Sequence, residues 1–224
     1  MKIKPSEELA YWVGVAQSDG CFKRYVVKPT GRVRYFVSLR VRRKSLPMPR
    51  GFQKISNKIF NRNVGIFKER KTPTWMFALS SNTLADIFKS LGIIFGDPPI
   101  PPDWTLKDAS LFGAYLAGIV DGDGDVRIKR KRYPQCEIRI TSGSKQSILS
   151  YHIRKMLNCS ACITYRERDK EIEGRKIHGH EYSLEFYVSS KNYEFIKENV
   201  VPRIRINYKK GKIENYISSK QWPR

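Results

Sequence analysis

The sequence predicts an α+β fold built from two similar halves, each ordered helix-strand-strand-helix-strand-strand-helix. Three observations carry that expectation. A helical stretch occurs twice, Ala10 to Gly20 and Ala114 to Gly124, matching Tyr11 with Tyr115, Gly14 with Gly118, Asp19 with Asp123 and Gly20 with Gly124. After each copy the apolar pattern switches to the two-residue alternation of strands. Between them, Phe95 to Asp103 contains Pro98, Pro99, Pro101 and Pro102, which suits an extended connector able to reach on the order of 25 Å. Residues 1–94 and 108–200 are therefore expected to be two repeats, 95–107 a proline-rich linker and 201–224 a basic tail.

In chain order, Ser6 is placed to cap the first helix, with Glu7 and Glu8 in its dipole-favoured first turn, and the helix is expected to reach Asp19. A hairpin follows, Cys21 to Lys28 and Val33 to Arg43 around Pro29-Thr30-Gly31. In its second strand Val33, Tyr35, Val37, Leu39 and Val41 alternate with Arg34, Phe36, Ser38, Arg40 and Arg42, giving one apolar and one largely basic face. A helix over Gly51 to Phe60 presents Phe52, Ile55 and Ile59 to the core; strands at Val64–Lys68 and Thr74–Leu79 and a helix from Asn82 to Leu91 complete the half.

The second half repeats the order. A helix spans Asp108 to Asp123; strands follow at Asp125–Lys131 and Gln135–Ser142, then a helix from Lys145 to Leu157 capped by Ser144. Arg127 and Lys129, then Arg139 and Thr141, alternate with apolar neighbours as Arg34 and Arg40 do. Strands at Ala161–Arg168 and Glu181–Val188 are joined by a charged loop, Asp169 to His180; a helix covers Lys191 to Asn199, and the tail, with Tyr208 and Trp222, is partly helical at Ile213–Ser218.

The chain's 43 Lys and Arg against 21 Asp and Glu leave a formal charge of +22, more than solubility needs, and favour a polyanionic partner. Three arginines on one strand face with no intervening acid repel one another unless an anion neutralises them. A basic membrane-surface protein is the rival, but no long apolar run or signal peptide is found and the basic residues are spread over strands. The 4 cysteines, without a secretion signal, fit a reducing compartment, cytoplasmic in a prokaryote or organellar. Cys159 and Cys162 form a CxxC, yet no second CxxC or His pair stands at zinc-finger spacing.

The repeated helix carries the chemistry. Ala10, Gly14 and Ser18, like Ala114, Gly118 and Gly122, form a ridge of small residues at four-residue spacing, which lets two backbones approach. Gly20 and Gly124 are expected to close the helices as left-handed caps. Asp19 and Asp123 sit at helix C-termini, where the dipole disfavours anions. One such acid could merely decorate a turn; two in matching context point to function. If the ridges pack, the carboxylates arrive side by side and call for divalent cations, with oxygen ligands that suit Mg²⁺.

Leu116 to Gly124 resembles the signature of the LAGLIDADG homing endonucleases, differing only by conservative replacements at Ile119, Val120 and Gly122. Trp12 to Gly20 is a degenerate copy roughly one hundred residues upstream, as a single-chain, two-repeat member implies. The resemblance implies two αββαββα repeats with curved antiparallel sheets forming a DNA-binding saddle. It also implies a monomeric, intron-encoded endonuclease that makes double-strand breaks at a long, partly asymmetric DNA site with Mg²⁺ or another divalent cation such as Mn²⁺. Asp19 and Asp123 would hold metal, aided by the main-chain carbonyls of Ser18 and Gly122, and Lys209 or Lys210 would approach the scissile phosphate. The expected DNA-binding set is Lys23, Arg34, Ser38, Arg40, Arg42, Lys68, Arg70, Arg127, Lys129, Arg139, Thr141, Arg166 and Arg168. The sequence departs from the pattern in two places: Gln17 stands where the second copy has Asp121, and Arg43 and Ser142 occupy strand ends where relatives carry a water-ordering polar residue. The rival reading is a maturase that helps an intron RNA fold, or a DNA-binding regulator that no longer cuts.

Overall fold

A computed structural model describes residues 3–220 except 71, 82, 83, 97, 131, 173 and 174, and leaves out the side chains at 168, 170–172 and 175–177. The expected helix start at Asn82, strand end at Lys131 and aromatic Trp222 fall outside the described residues.

Helix α1 (Glu7–Ser18) begins where the Ser6 hydroxyl accepts from Leu9 N–H at 3.2 Å. It leads into strands β1 (Gly20–Val27) and β2 (Arg32–Arg42), helix α2 (Pro47–Phe60), strands β3 (Ile66–Lys68) and β4 (Thr74–Ser81), and helix α3 (Leu84–Ser90). The second series is α4 (Ala109–Gly122), β5 (Gly124–Lys129), β6 (Gln135–Ser142), α5 (Ser147–Leu157), β7 (Ala161–Ile172), β8 (Arg175–Tyr187) and α6 (Tyr193–Phe195), which widens into a π-helical turn over Ile196–Val200. Helix α7 (Asn207–Ser218) follows. The strands form two antiparallel four-stranded sheets of the same order, β1-β2-β4-β3 and β5-β6-β8-β7. The α+β, two-sheet architecture is the one expected.

Each sheet buries one face on helices, and the alternation decides which. In β2, Val37, Leu39 and Val41 are buried while Arg34, Arg40 and Arg42 are exposed. Trp12 of α1 is fully buried, stacked on Phe52 at 4.8 Å, with its indole N–H donating to Ser56 Oγ at 2.8 Å. That pairing satisfies the one polar atom of the largest core side chain. Among the described residues, no helix is long and apolar enough to cross a membrane.

Four local expectations are corrected. Helix α2 starts at Pro47, not Gly51, because a proline in the first turn loses no hydrogen bond and brings a helical φ. Helix α5 starts at Ser147 without a Ser144 cap; buried Gln146 precedes it and donates to Ile140 O at 3.2 Å, while Ser144 N–H turns back to Ser142 Oγ at 3.1 Å. The charged stretch from Asp169 is no loop: β7 and β8 stay in register from Ala161–Phe186 out to Ile172–Arg175, since backbone pairing does not depend on an apolar sequence. Helix α7 begins at Asn207, well before Ile213.

Candidate functional site: a helix crossing between two sheets

Helices α1 and α4 cross on their small ridges. A Cβ added at Gly14 would lie 2.2 Å from Tyr115 O, and one at Gly118 would lie 2.3 Å from Tyr11 O, so only glycine permits this approach. One turn on, a Cβ at Gly122 would meet Ser18 Oγ at 2.0 Å and Asp19 N at 3.2 Å. The crossing thus continues to the residues that carry the two carboxylates.

Asp19 and Asp123 are the C-caps of α1 and α4, each in right-handed backbone with its N–H bonded to Val15 O and Ile119 O. The left-handed glycine caps are not formed. Gly20 and Gly124 open β1 and β5 instead, and glycine is needed for close packing: a Cβ would stand 2.2 Å from Ala16 O and 2.5 Å from Val120 O. Each chain therefore turns from helix to strand at its aspartate.

The neighbouring position differs between halves. Asp121 is buried and accepts from Tyr11 hydroxyl at 2.7 Å, Arg205 N–H at 2.8 Å and Ile206 N–H at 3.2 Å. Burial pushes its pKa up, against the pull of those hydrogen bonds and of Lys209. Gln17 is also buried: its amide donates to Ile94 O at 2.6 Å and Ile100 O at 2.9 Å, and its oxygen accepts from Tyr115 hydroxyl at 2.7 Å.

Lys209 is brought to the site and Lys210 is not. Only 4% exposed, Lys209 donates through Nζ to Val120 O at 2.8 Å and Asp121 O at 2.9 Å, neutralising the negative end of α4. Desolvation lowers its pKa, countered by Asp121, Asp19, Asp125 and Asp123. Lys210 instead faces a groove with Glu7, Glu8 and Tyr11, towards the other end of α1, and lies 3.8 Å from Glu214.

Asp19 is half-buried; burial raises its pKa and Lys209 lowers it again. Asp123 opens on a pocket of about 640 Å³ lined also by Gln17, Ser18, Phe95, Thr141 and Glu181. Among the described residues no three His, Cys, Asp or Glu side chains cluster as a metal cage, CxxC included. Two carboxylates and nearby carbonyls at a dipole's negative end remain, a donor set that fits a hard cation whose shell is completed by water and phosphate oxygens.

The open sheet faces, opposite the helices, carry most of the remaining candidates. Lys23, Arg34, Ser38, Arg40 and Arg42 share one register face of the first sheet. Lys68 pairs with Trp75, on the helix-side register, and Arg70 is exposed in the β3–β4 turn. In the second sheet Arg127, Lys129, Arg139, Thr141 and Arg166 share the open face; the side chain of Arg168 is outside the described residues. Register also reassigns the strand-end pair: Gly20 faces Leu39 as Gly124 faces Ile140, so Thr141 corresponds to Arg40 and Ser142 to Val41, not to Arg43.

Sequence reading missed the acids on that second face. Arg127 pairs with Asp125 at 2.6 Å, Lys129 with fully buried Glu137, and Arg139 with Glu181 at 3.1 Å and Glu185 at 3.6 Å. Glu137 stands two residues before Arg139, a signal available in the sequence; the partners on β8 required the long-range register.

No protein-family model matches the sequence, and no curated relative does. Solved structures do. The homing endonuclease I-DmoI in complex with DNA and Mn superposes with a TM-score of 0.57 at 18% identity, covering 88% of this chain and 98% of that one. The LAGLIDADG homing endonuclease I-GzeII in complex with a DNA target gives 0.52 at 13% identity, covering 97% and 89%. This chain has the LAGLIDADG homing-endonuclease fold. Within the LAGLIDADG fold, the signature-like stretch of this chain is the C-terminal half of α4 and its cap, and the degenerate copy is that of α1. I-DmoI in complex with DNA and Ca superposes as well, with a TM-score of 0.55 at 16% identity over 86% of this chain and 88% of that one.

Proposed function

We propose that the protein is a monomeric, sequence-specific endonuclease that cuts both strands of a long, partly asymmetric DNA site by metal-dependent phosphodiester hydrolysis. One observation carries this reading: backbone contact between α1 and α4 brings Asp19 and Asp123, from different halves of the chain, to the same end of one helix pair. Binding polyanions requires neither acid, so their shared placement favours cutting over the non-cleaving or RNA-maturase alternative.

Asp19 and Asp123 would hold Mg²⁺ or Mn²⁺, with the carbonyls of Ser18 and Gly122 as further oxygen donors. When bound, the cation supplies Lewis-acid stabilisation of phosphate oxygens and lowers the pKa of a water. Lys209 acts by position: it ties off the carbonyls beside Asp123 and, as a nearby positive charge, favours the ionised form of Asp19. Thr141 and Glu181 border the same pocket and link it to the second sheet's open face. On the first sheet, Lys23, Arg34 and Arg42 have no ion pair among the described residues, which suits phosphate contacts and a strong salt dependence.

Incubating the protein with long random duplexes and Mg²⁺, with Asp123→Asn as the control, tests the reading. Site-specific double-strand breaks, lost on chelation and reduced at least about 1,000-fold by the substitution, are expected. Tight binding without breaks rejects the enzyme and leaves a binding protein.

A further inference from the structure

A chain of formal charge +22 would be expected to turn bare cations towards its partner on both sheets, yet three basic side chains of the second sheet's open face are already paired with acids. On its open face Arg127 is paired with Asp125, Lys129 with Glu137, and Arg139 with both Glu181 and Glu185, while Arg166 stands opposite Glu181 in the register. Arg139 lies at the centre with 5% of its side chain exposed, donating to Ser183 and held between Glu181 and Glu185. Glu137 is fully buried, bonded by Tyr187 hydroxyl at 2.8 Å and by Lys129. Two buried atoms of this lattice, Glu137 Oε1 and Arg139 Nε, have no hydrogen-bond partner.

This part of the face is a poor phosphate binder, because Arg127, Lys129 and Arg139 are already neutralised and the carboxylates beside them repel phosphate. It is also more than a strut. Glu181 and Glu185 keep 16% and 14% of their side chains exposed, and Glu181 borders the pocket that holds Asp123. A carboxylate pressed against DNA is stable only where the DNA offers a donor. In the major groove those donors are the exocyclic amino groups of cytosine and adenine. Guanine O6 and thymine O4, both acceptors, would leave the carboxylate desolvated and unpaired.

We propose that Glu181 and Glu185 are specificity-determining residues that accept from amino-bearing base edges, and that Arg139, itself too buried to touch a base, is the residue that positions them. This rests on the DNA-cutting reading. The two sheets then divide the work: the basic first face supplies most of the phosphate contacts, and the ion-paired cluster around Arg139 on the second face selects sequence.

The test selects bound sites from a random 40-base-pair duplex pool with the Asp123→Asn protein, which spares the duplexes, alone and carrying Glu185→Gln, Glu181→Gln or Arg139→Lys. Glutamine keeps the shape and adds a donor, so the fold should hold, and thermal melting checks it. Cytosine or adenine is expected at fixed positions of one half-site. Each Gln variant should lose that preference at one or two positions by on the order of 10- to 100-fold, leaving the other half-site and the salt dependence of binding unchanged. Arg139→Lys should blur both sets of positions together, which a purely structural arginine would not do. Enriched sites whose base preferences are the same with and without the Gln substitutions overturn the assignment, as does a loss of affinity equal for all sequences. A pool in which nothing is enriched by the unsubstituted face overturns the DNA reading itself, and this one with it.

Discussion

Gln17 and Asp121 occupy equivalent places one turn from the crossing of α1 and α4, yet one is an amide and the other an acid. Each accepts a tyrosine hydroxyl from the opposite helix, Tyr115 for Gln17 and Tyr11 for Asp121. They differ in what trails past them. The segment after α3 offers carbonyls, Ile94 O and Ile100 O, so a donor is needed; the segment before α7 offers the N–H groups of Arg205 and Ile206, so an acceptor is needed. What looks in sequence like a lost acid is a matched hydrogen-bonding partner, and the proposed metal-binding role falls to the next acids, Asp19 and Asp123. The open faces diverge in the same spirit: among the described residues Lys23, Arg34 and Arg42 have no ion pair on the first sheet, although Arg40 meets Glu69, whereas Arg127, Lys129 and Arg139 are paired on the second.

The largest effect should come from what the halves share. Gly14→Ala or Gly118→Ala drives a methyl into backbone and is expected to cost at least about 3 kcal/mol, read by denaturant unfolding, with loss of cutting because the two acids separate. Equal tolerance of alanine at both positions would break the crossing.

Next come the differing positions. Asp121→Asn places an amide donor against buried N–H groups and should cost about 1–3 kcal/mol; Gln17→Glu sets a carboxylate against Ile94 O and Ile100 O and should cost a similar amount. The pH dependence fixes the sign. Because the folded pKa of Asp121 is raised above its ordinary 3.8, its contribution is fully present below that value and is lost as pH rises through the folded pKa. The stability gap between wild type and Asp121→Asn should therefore widen as pH falls through this window. A gap that narrows there would contradict the burial-driven shift.

The smallest expected effect separates the faces. Arg34→Ala or Arg42→Ala should reduce the slope of log binding constant against log salt by about 1, with little change in melting temperature. Arg139→Ala should leave the slope alone and lower stability, since it strands two partly buried carboxylates.

Much of this was legible in the sequence. The small ridges located the crossing, alternation assigned β2 and β6 their faces, and Ser6 marked the start of α1, because each depends on neighbours within a turn or a strand. What escaped needed partners distant in the chain. Gly20 and Gly124 looked like left-handed caps until the strand folding back over Ala16 and Val120 showed a closer constraint. Lys209 and Lys210 were equivalent by sequence, and only the docking of α7 on α4 turns one inward. Arg139 was read as free because its acids on β8, Glu181 and Glu185, become neighbours only through the sheet register, whereas the acids that pair Arg127 and Lys129 stand close by in the sequence and were overlooked.

The claim on which the rest depends is that Asp19 and Asp123 share one metal centre. Anomalous diffraction from Mn²⁺ in crystals of the protein bound to a selected duplex measures this directly. Manganese peaks between the two carboxylates, absent in Asp123→Asn crystals, are expected; peaks bound elsewhere, or carboxylates that hold no metal beside the DNA, would contradict a shared cutting centre.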